Sequence, residues 1–131
     1  MLTILSTIPM VASRRPPVTL PPVQITCFTC GHSNPRNCEN QYYEAHCNPP
    51  SNYCMNIITN SITGNRTVER TCATFDDCYN NWWQGSSDEE MCQNYSPDTT
   101  LTANFQCSFC CTENKCNENL KPPKDTLYQD N

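Results

Sequence analysis

The stretch CSFCCTENKCN, residues 107–117, puts four cysteines into eleven residues and closes on Cys116-Asn117. So dense a run of sulfur serves one of three chemistries: a metal site, a redox or nucleophilic centre, or a knot of disulfides. The choice decides the fold.

The rest of the chain bears on it. Its 131 residues include 12 cysteines, 11 prolines and 3 glycines, with 37% hydrophobic residues and a mean hydropathy of -0.66. A chain so short of apolar material cannot bury a large core, and covalent staples take its place. The cysteine number is even, and disulfides persist only in oxidising compartments. A secreted location, or the extracellular face of the plasma membrane, is therefore expected.

The formal net charge is -5, and no basic run exists beyond Arg14-Arg15. That excludes the footprint of a nucleic-acid binder and a basic face for anionic lipid. The sequons Asn65-Arg66-Thr67 and Asn94-Tyr95-Ser96 make Asn65 and Asn94 the glycosylation candidates.

Zinc would take four thiolates from Cys27-x-x-Cys30 and Cys107-x-x-Cys110. Eight cysteines would then remain, with Cys111 crammed against Cys110, so no metal and no cofactor is expected. A redox CxxC needs a βαβ setting that the sequence lacks. A cysteine nucleophile needs a histidine base, and the only histidines are His32 and His46, both in turn-rich sequence. No catalytic residue is expected, and the chain reads as a non-enzyme. Disulfides are the remaining use for the sulfur.

Residues 1–13, MLTILSTIPMVAS, read as the apolar core and small-residue end of a secretory signal without its basic start. RRPPVTLPPVQ, up to residue 24, reads as an extended proline-rich linker or leader. The domain proper is expected over 25–117, and 118–131 as a polar tail. No stretch approaches the ~20 apolar residues of a membrane span, and no hydrophobic end of the GPI-directing kind is present.

Inside the domain, Asn- and Pro-rich turns separate short β-prone runs: VQITCFTC, NYCMNIIT, RTVERTCA and ANFQCSFCC. They predict an all-β domain of hairpins. The clearest hairpin sets Tyr53–Thr59 against Arg66–Cys72 with its tip at Asn60–Asn65. No sustained helical periodicity is visible.

The cysteine order is Cys27-x2-Cys30, Cys38, Cys47, Cys54, Cys72-x5-Cys78, then Cys110-Cys111-x4-Cys116-Asn117. It resembles the Ly6/uPAR three-finger domain, the small disulfide-rich fold shared with snake toxins, across essentially the whole domain. The CC-x4-CN close is the specific part. The resemblance implies the pairs Cys27–Cys54, Cys30–Cys38, Cys47–Cys72, Cys78–Cys110 and Cys111–Cys116. It also implies a structural role for Asn117, hydrogen-bonded where the strands converge. Cys92 and Cys107 are surplus to the family pattern; a Cys92–Cys107 bridge would staple a long third finger.

The resemblance further implies a noncatalytic extracellular protein-binding module. Such a module is secreted, or held at a membrane by an anchor outside this sequence. It modulates a membrane receptor or channel, or mediates a cell-surface interaction. Two alternatives stand beside it: the ligand-binding ectodomain of a TGF-β/activin/BMP-type receptor kinase, and an extracellular matrix or adhesion component. The Cys27–Cys30 pair and the short Cys72-x5-Cys78 spacing favour the Ly6 side over the receptor kinase. Function in such scaffolds lives in the loops. The binding candidates are Ile62 and Arg66 at the second tip, Trp82 and Trp83 in the third finger, and Tyr42 and Tyr43 in the first. Residues 82 and 83 read as extended chain, with the two indoles on opposite sides.

Overall fold

In the computed structural model, which describes residues 24–30 and 38–130, the β-prone runs pair into two antiparallel sheets. Strand β1 (Thr26–Thr29) pairs with β2 (Tyr43–His46). Strand β3 (Tyr53–Asn60) lies at the centre of the second sheet, between β4 (Arg66–Ala73) and β5 (Phe105–Cys111). The molecule is a small, strand-rich domain with six disulfides.

The β3–β4 hairpin runs in register from Tyr53↔Ala73 to Asn60↔Arg66. It turns through Gly64 at φ 87°, a left-handed conformation that a side chain resists. The Asn60 amide nitrogen donates to the carbonyls of Leu101 at 2.8 Å and Ala103 at 2.9 Å, tying the 101–103 loop to the hairpin's end.

Alternation along β3 places Cys54, Asn56, Ile58 and Asn60 on one face. Register adds Arg70 and Val68 from β4 and Phe109 and Cys107 from β5. Ile58, Val68 and Phe109 are fully buried there, and Trp82 and Tyr95 pack on Phe109. A second cluster is mostly sulfur: Ile25 with Cys27, Cys47, Cys54, Cys111 and Cys116. Bridges supply there what apolar surface supplies in a larger domain.

The bridges join Cys27 to Cys54, Cys30 to Cys38 and Cys47 to Cys72. They also join Cys78 to Cys110, Cys92 to Cys107 and Cys111 to Cys116. Within the last ring Lys115 takes φ 59°, and its N–H donates to the Thr26 carbonyl at 2.7 Å. The ring is thereby stitched to β1.

A polar knot fills the space between the sheets and the C-terminal chain. The Asn56 amide nitrogen donates to the carbonyls of Asn117, Asn119 and Leu120. The buried Arg70 guanidinium donates to the carbonyls of Asn117, Cys38, Glu39 and Glu118 and lies 4.0 Å above the Tyr42 ring. Burial lowers its pKa, and the nearby Tyr42, Glu39 and Glu118 oppose that shift. Buried donors must find acceptors, and here backbone carbonyls serve.

Two sequence expectations need correction. Trp82 and Trp83, expected in extended chain, end a helical segment over residues 75–83. Helix α1 (Phe75–Asp77) opens on a reciprocal cap between Thr74 and Asp77 and runs into a π-helical turn over Cys78–Trp83. A further short helix, α2 (Glu90–Gln93), carries Cys92 to its bridge.

The other correction concerns the segment after Asn117, which does not leave the domain as a polar tail. Leu120, Pro122 and Thr126 are buried, and Leu127 bridges Cys111 at the open edge of β5. The N–H of Thr112 donates to the Thr126 carbonyl and that of Tyr128 to the Cys110 carbonyl, both at 2.9 Å. A sheet edge left open invites association, and this segment covers its Cys110–Thr112 end.

Candidate binding surface

Helical geometry brings Phe75, Tyr79 and Trp83, spaced four apart, to one side of the 75–83 segment. The Phe75 and Tyr79 rings stack at 5.8 Å. The C-terminal segment then lays Tyr128 among them. Its ring stands nearly perpendicular to Tyr53 at 6.0 Å, Phe75 at 5.8 Å and Trp83 at 6.3 Å. Five aromatic side chains from three parts of the chain form one continuous surface. Phe75 is 46% exposed and the other four are half-buried.

Carboxylates rim this surface. Asp76 and Asp77 follow Phe75 on α1, and the Asp77 carboxylate also accepts the Thr74 N–H at 3.1 Å. Glu113 lines a groove with Ile25, Tyr53 and Tyr128. The Tyr128 hydroxyl donates to Asp130 at 3.2 Å. Loss of hydration and the Asp130 charge raise the Tyr128 phenol above its ordinary pKa. The ion pairs among the described residues are Arg66–Glu39 and Lys115–Glu44, so none of these four acids has a cationic partner there.

The six side chains singled out from sequence are not brought together. Trp82 is 7% exposed, its indole N–H donates to the Tyr128 carbonyl at 2.7 Å, and its ring packs on Phe109. As an exposed contact residue it is therefore corrected: it belongs to the core. Trp83 alone of the six joins the aromatic surface.

Ile62 is 64% exposed at the far tip of the β3–β4 hairpin. Arg66 beside it is consumed structurally. Its guanidinium donates to both Glu39 oxygens, at 2.8 and 2.5 Å, to the Tyr95 hydroxyl and to the Pro97 carbonyl. Tyr42 lies under Arg70 and against Phe28, also a packing role. Tyr43 is exposed on β2. The sequon residues Asn65 and Asn94 are both exposed.

Tyr53, Phe75, Tyr79 and Tyr128 escaped sequence reasoning. A signal for three of the group existed: positions 75, 79 and 83 follow a Thr-x-x-Asp cap.

All twelve cysteines are bridged. The sulfurs of Cys27, Cys47 and Cys72, and those of Cys54, Cys111 and Cys116, gather within 4.8 Å. Each is already bonded to another sulfur, so these groups offer no thiolate to a metal. His46 is exposed and its Nδ1 lies 3.0 Å from the Thr26 hydroxyl, with no cysteine thiol to activate. No helix among the described residues is long and apolar enough to cross a membrane. No family model, curated protein or solved structure matches the chain.

Proposed function

We propose that the chain is a noncatalytic extracellular protein-binding module of the Ly6/uPAR three-finger type, secreted or anchored at the cell surface. Its partner is an extracellular protein or the outer part of a membrane receptor or channel. Six bridges in a small domain support the extracellular setting. One observation carries the binding role: the aromatic surface of Tyr53, Phe75, Tyr79, Trp83 and Tyr128, rimmed by acids that have no cationic partner among the described residues.

Trp and Tyr are enriched among the hot-spot residues of protein interfaces. They lose little entropy when the scaffold beneath them is already rigid. This scaffold is rigid by construction, since Cys78–Cys110 pins the aromatic segment to β5. The favoured partner surface is basic, to meet Asp76, Asp77, Glu113 and Asp130.

The test is a capture screen of the oligomerised chain against an array of extracellular ectodomains, repeated with the Phe75→Ala/Tyr79→Ala double variant. Loss of one hot-spot ring typically costs at least ~2 kcal/mol, about thirtyfold in affinity. A folded double variant that binds its captured ectodomain undiminished contradicts the reading.

A further inference from the structure

Resting on that reading of the aromatic surface, we propose an occupant for it from within the chain: residues 14–22, RRPPVTLPP. These residues lie outside those described. The inference comes from where the chain enters the domain, how far the segment reaches, and its chemistry.

Ile25, just ahead of β1, lines the same groove as Tyr53, Glu113 and Tyr128. Gln24, whose side-chain amide donates to Asn48 Oδ1 at 3.1 Å, joins the segment to the Ile25 end of that groove. Nine residues with four prolines span about 28 Å at ~3.1 Å per residue in an extended proline helix. The rings lie within that reach, in steps of 6.0 Å from Tyr53 to Tyr128, 5.8 Å on to Phe75 and 5.8 Å on to Tyr79.

The chemistry matches on two counts. Proline-rich segments dock in grooves lined by aromatic rings, because the pyrrolidine ring is apolar and the extended proline helix is already ordered. Tyr128 stands at 87°, 82° and 89° to Tyr53, Phe75 and Trp83, so the surface offers both ring faces and ring edges to a proline-rich segment. Arg14 and Arg15 form the chain's one basic run, and the acids round the rings have no cationic partner among the described residues. Guanidinium groups both pair with carboxylates and stack on aromatic faces. A partner protein then competes with this segment for the surface.

The experiment is through-space NMR on the full chain, reading cross-peaks from the ring protons of Pro16, Pro17, Pro21 and Pro22 to Tyr53, Phe75 and Tyr128. The expected result is a set of cross-peaks independent of concentration and lost in the Arg14→Glu/Arg15→Glu/Pro17→Ser variant. Those substitutions lie outside the disulfide-bonded domain, so the fold is not at stake. Absent cross-peaks overturn the proposal. So do cross-peaks that arise only between labelled and unlabelled molecules, which assign the surface to a second copy. The capture screen reads the Phe75/Tyr79 surface separately, so the docking can fail while the binding reading stands.

Discussion

The side chain of Asn117 clasps the backbone of Phe28: its Oδ1 accepts the Phe28 N–H at 2.8 Å and its amide nitrogen donates to the Phe28 carbonyl at 2.9 Å. It thereby acts as a one-residue neighbour for β1, in a wholly buried position. Asn117→Ala leaves both backbone groups unpaired, at ~1–3 kcal/mol each. The expected loss is about 3 kcal/mol in denaturant unfolding, and Asn117→Asp loses more by facing a carboxylate to the Phe28 carbonyl.

The two bridges at the C-terminal end differ in what they hold. Loop-closure entropy alone favours Cys92–Cys107, at about 3 kcal/mol for its 15-residue separation against about 2 for the 5-residue Cys111–Cys116 ring. Location reverses the order. The small ring places Asn117 against Phe28, the Asn114 side-chain oxygen against the Thr26 N–H at 2.8 Å, and the Lys115 N–H against the Thr26 carbonyl. Secreted yield is expected to fall further for the Cys111→Ala/Cys116→Ala pair than for Cys92→Ala/Cys107→Ala. Equal losses would make the second bridge as central as the first.

Acid is expected to loosen the contact between the chain at Glu39 and the β3–β4 hairpin. The Arg66 hydrogen bonds, helped by the charges of Arg66 and Arg70 and opposed by desolvation, hold the Glu39 carboxyl below its ordinary 4.5. A depressed carboxyl stabilises the fold fully above that ordinary value. The contribution disappears as pH falls through the lower, folded-state value. Glu39→Gln should cost about 1 kcal/mol at neutral pH and flatten the acid limb of a melting-temperature profile. An unchanged acid limb refutes the assignment.

Adjacent tryptophans should behave differently. Trp82→Ala removes a buried ring from Phe109 and a hydrogen bond to Tyr128, so a loss of about 3–5 kcal/mol is expected. Phe75→Ala, half-exposed on the aromatic surface but in contact with Tyr53, Tyr79 and Tyr128, should cost less, about 1 kcal/mol. Unfolding curves of both variants decide whether the surface is separable from the core.

Much of the strand framework was legible because strands write themselves in short-range pattern. The β3–β4 hairpin follows from β-prone residues on either side of an Asn-bounded turn, and the structure extends it by one residue at each end. Helix 75–83 was hidden because it is short, too brief to show a period. Only the Thr74–Asp77 cap and the four-residue aromatic spacing mark it. The docked C-terminal segment was hidden for a different reason. Its apolar residues, Leu120, Leu127 and Tyr128, are scattered among prolines and charges; core burial and the Asn56 amide hold Leu120, and backbone pairing at Cys110–Thr112 holds the end of the segment. The aromatic surface joins residues 53, 75, 79, 83 and 128, whose proximity depends on both of these unread elements.

The central claim is that every cysteine in the chain is structural, in six defined bridges that leave function to the surface. Peptide mapping of the unreduced, alkylated protein tests it most directly. The account predicts no alkylated cysteine, a gain of about twelve hydrogens on reduction, and cross-linked peptides that pair Cys92 with Cys107 and Cys111 with Cys116. Alkylated thiols in the native protein, or a Cys107 peptide bonded elsewhere than to Cys92, would contradict it.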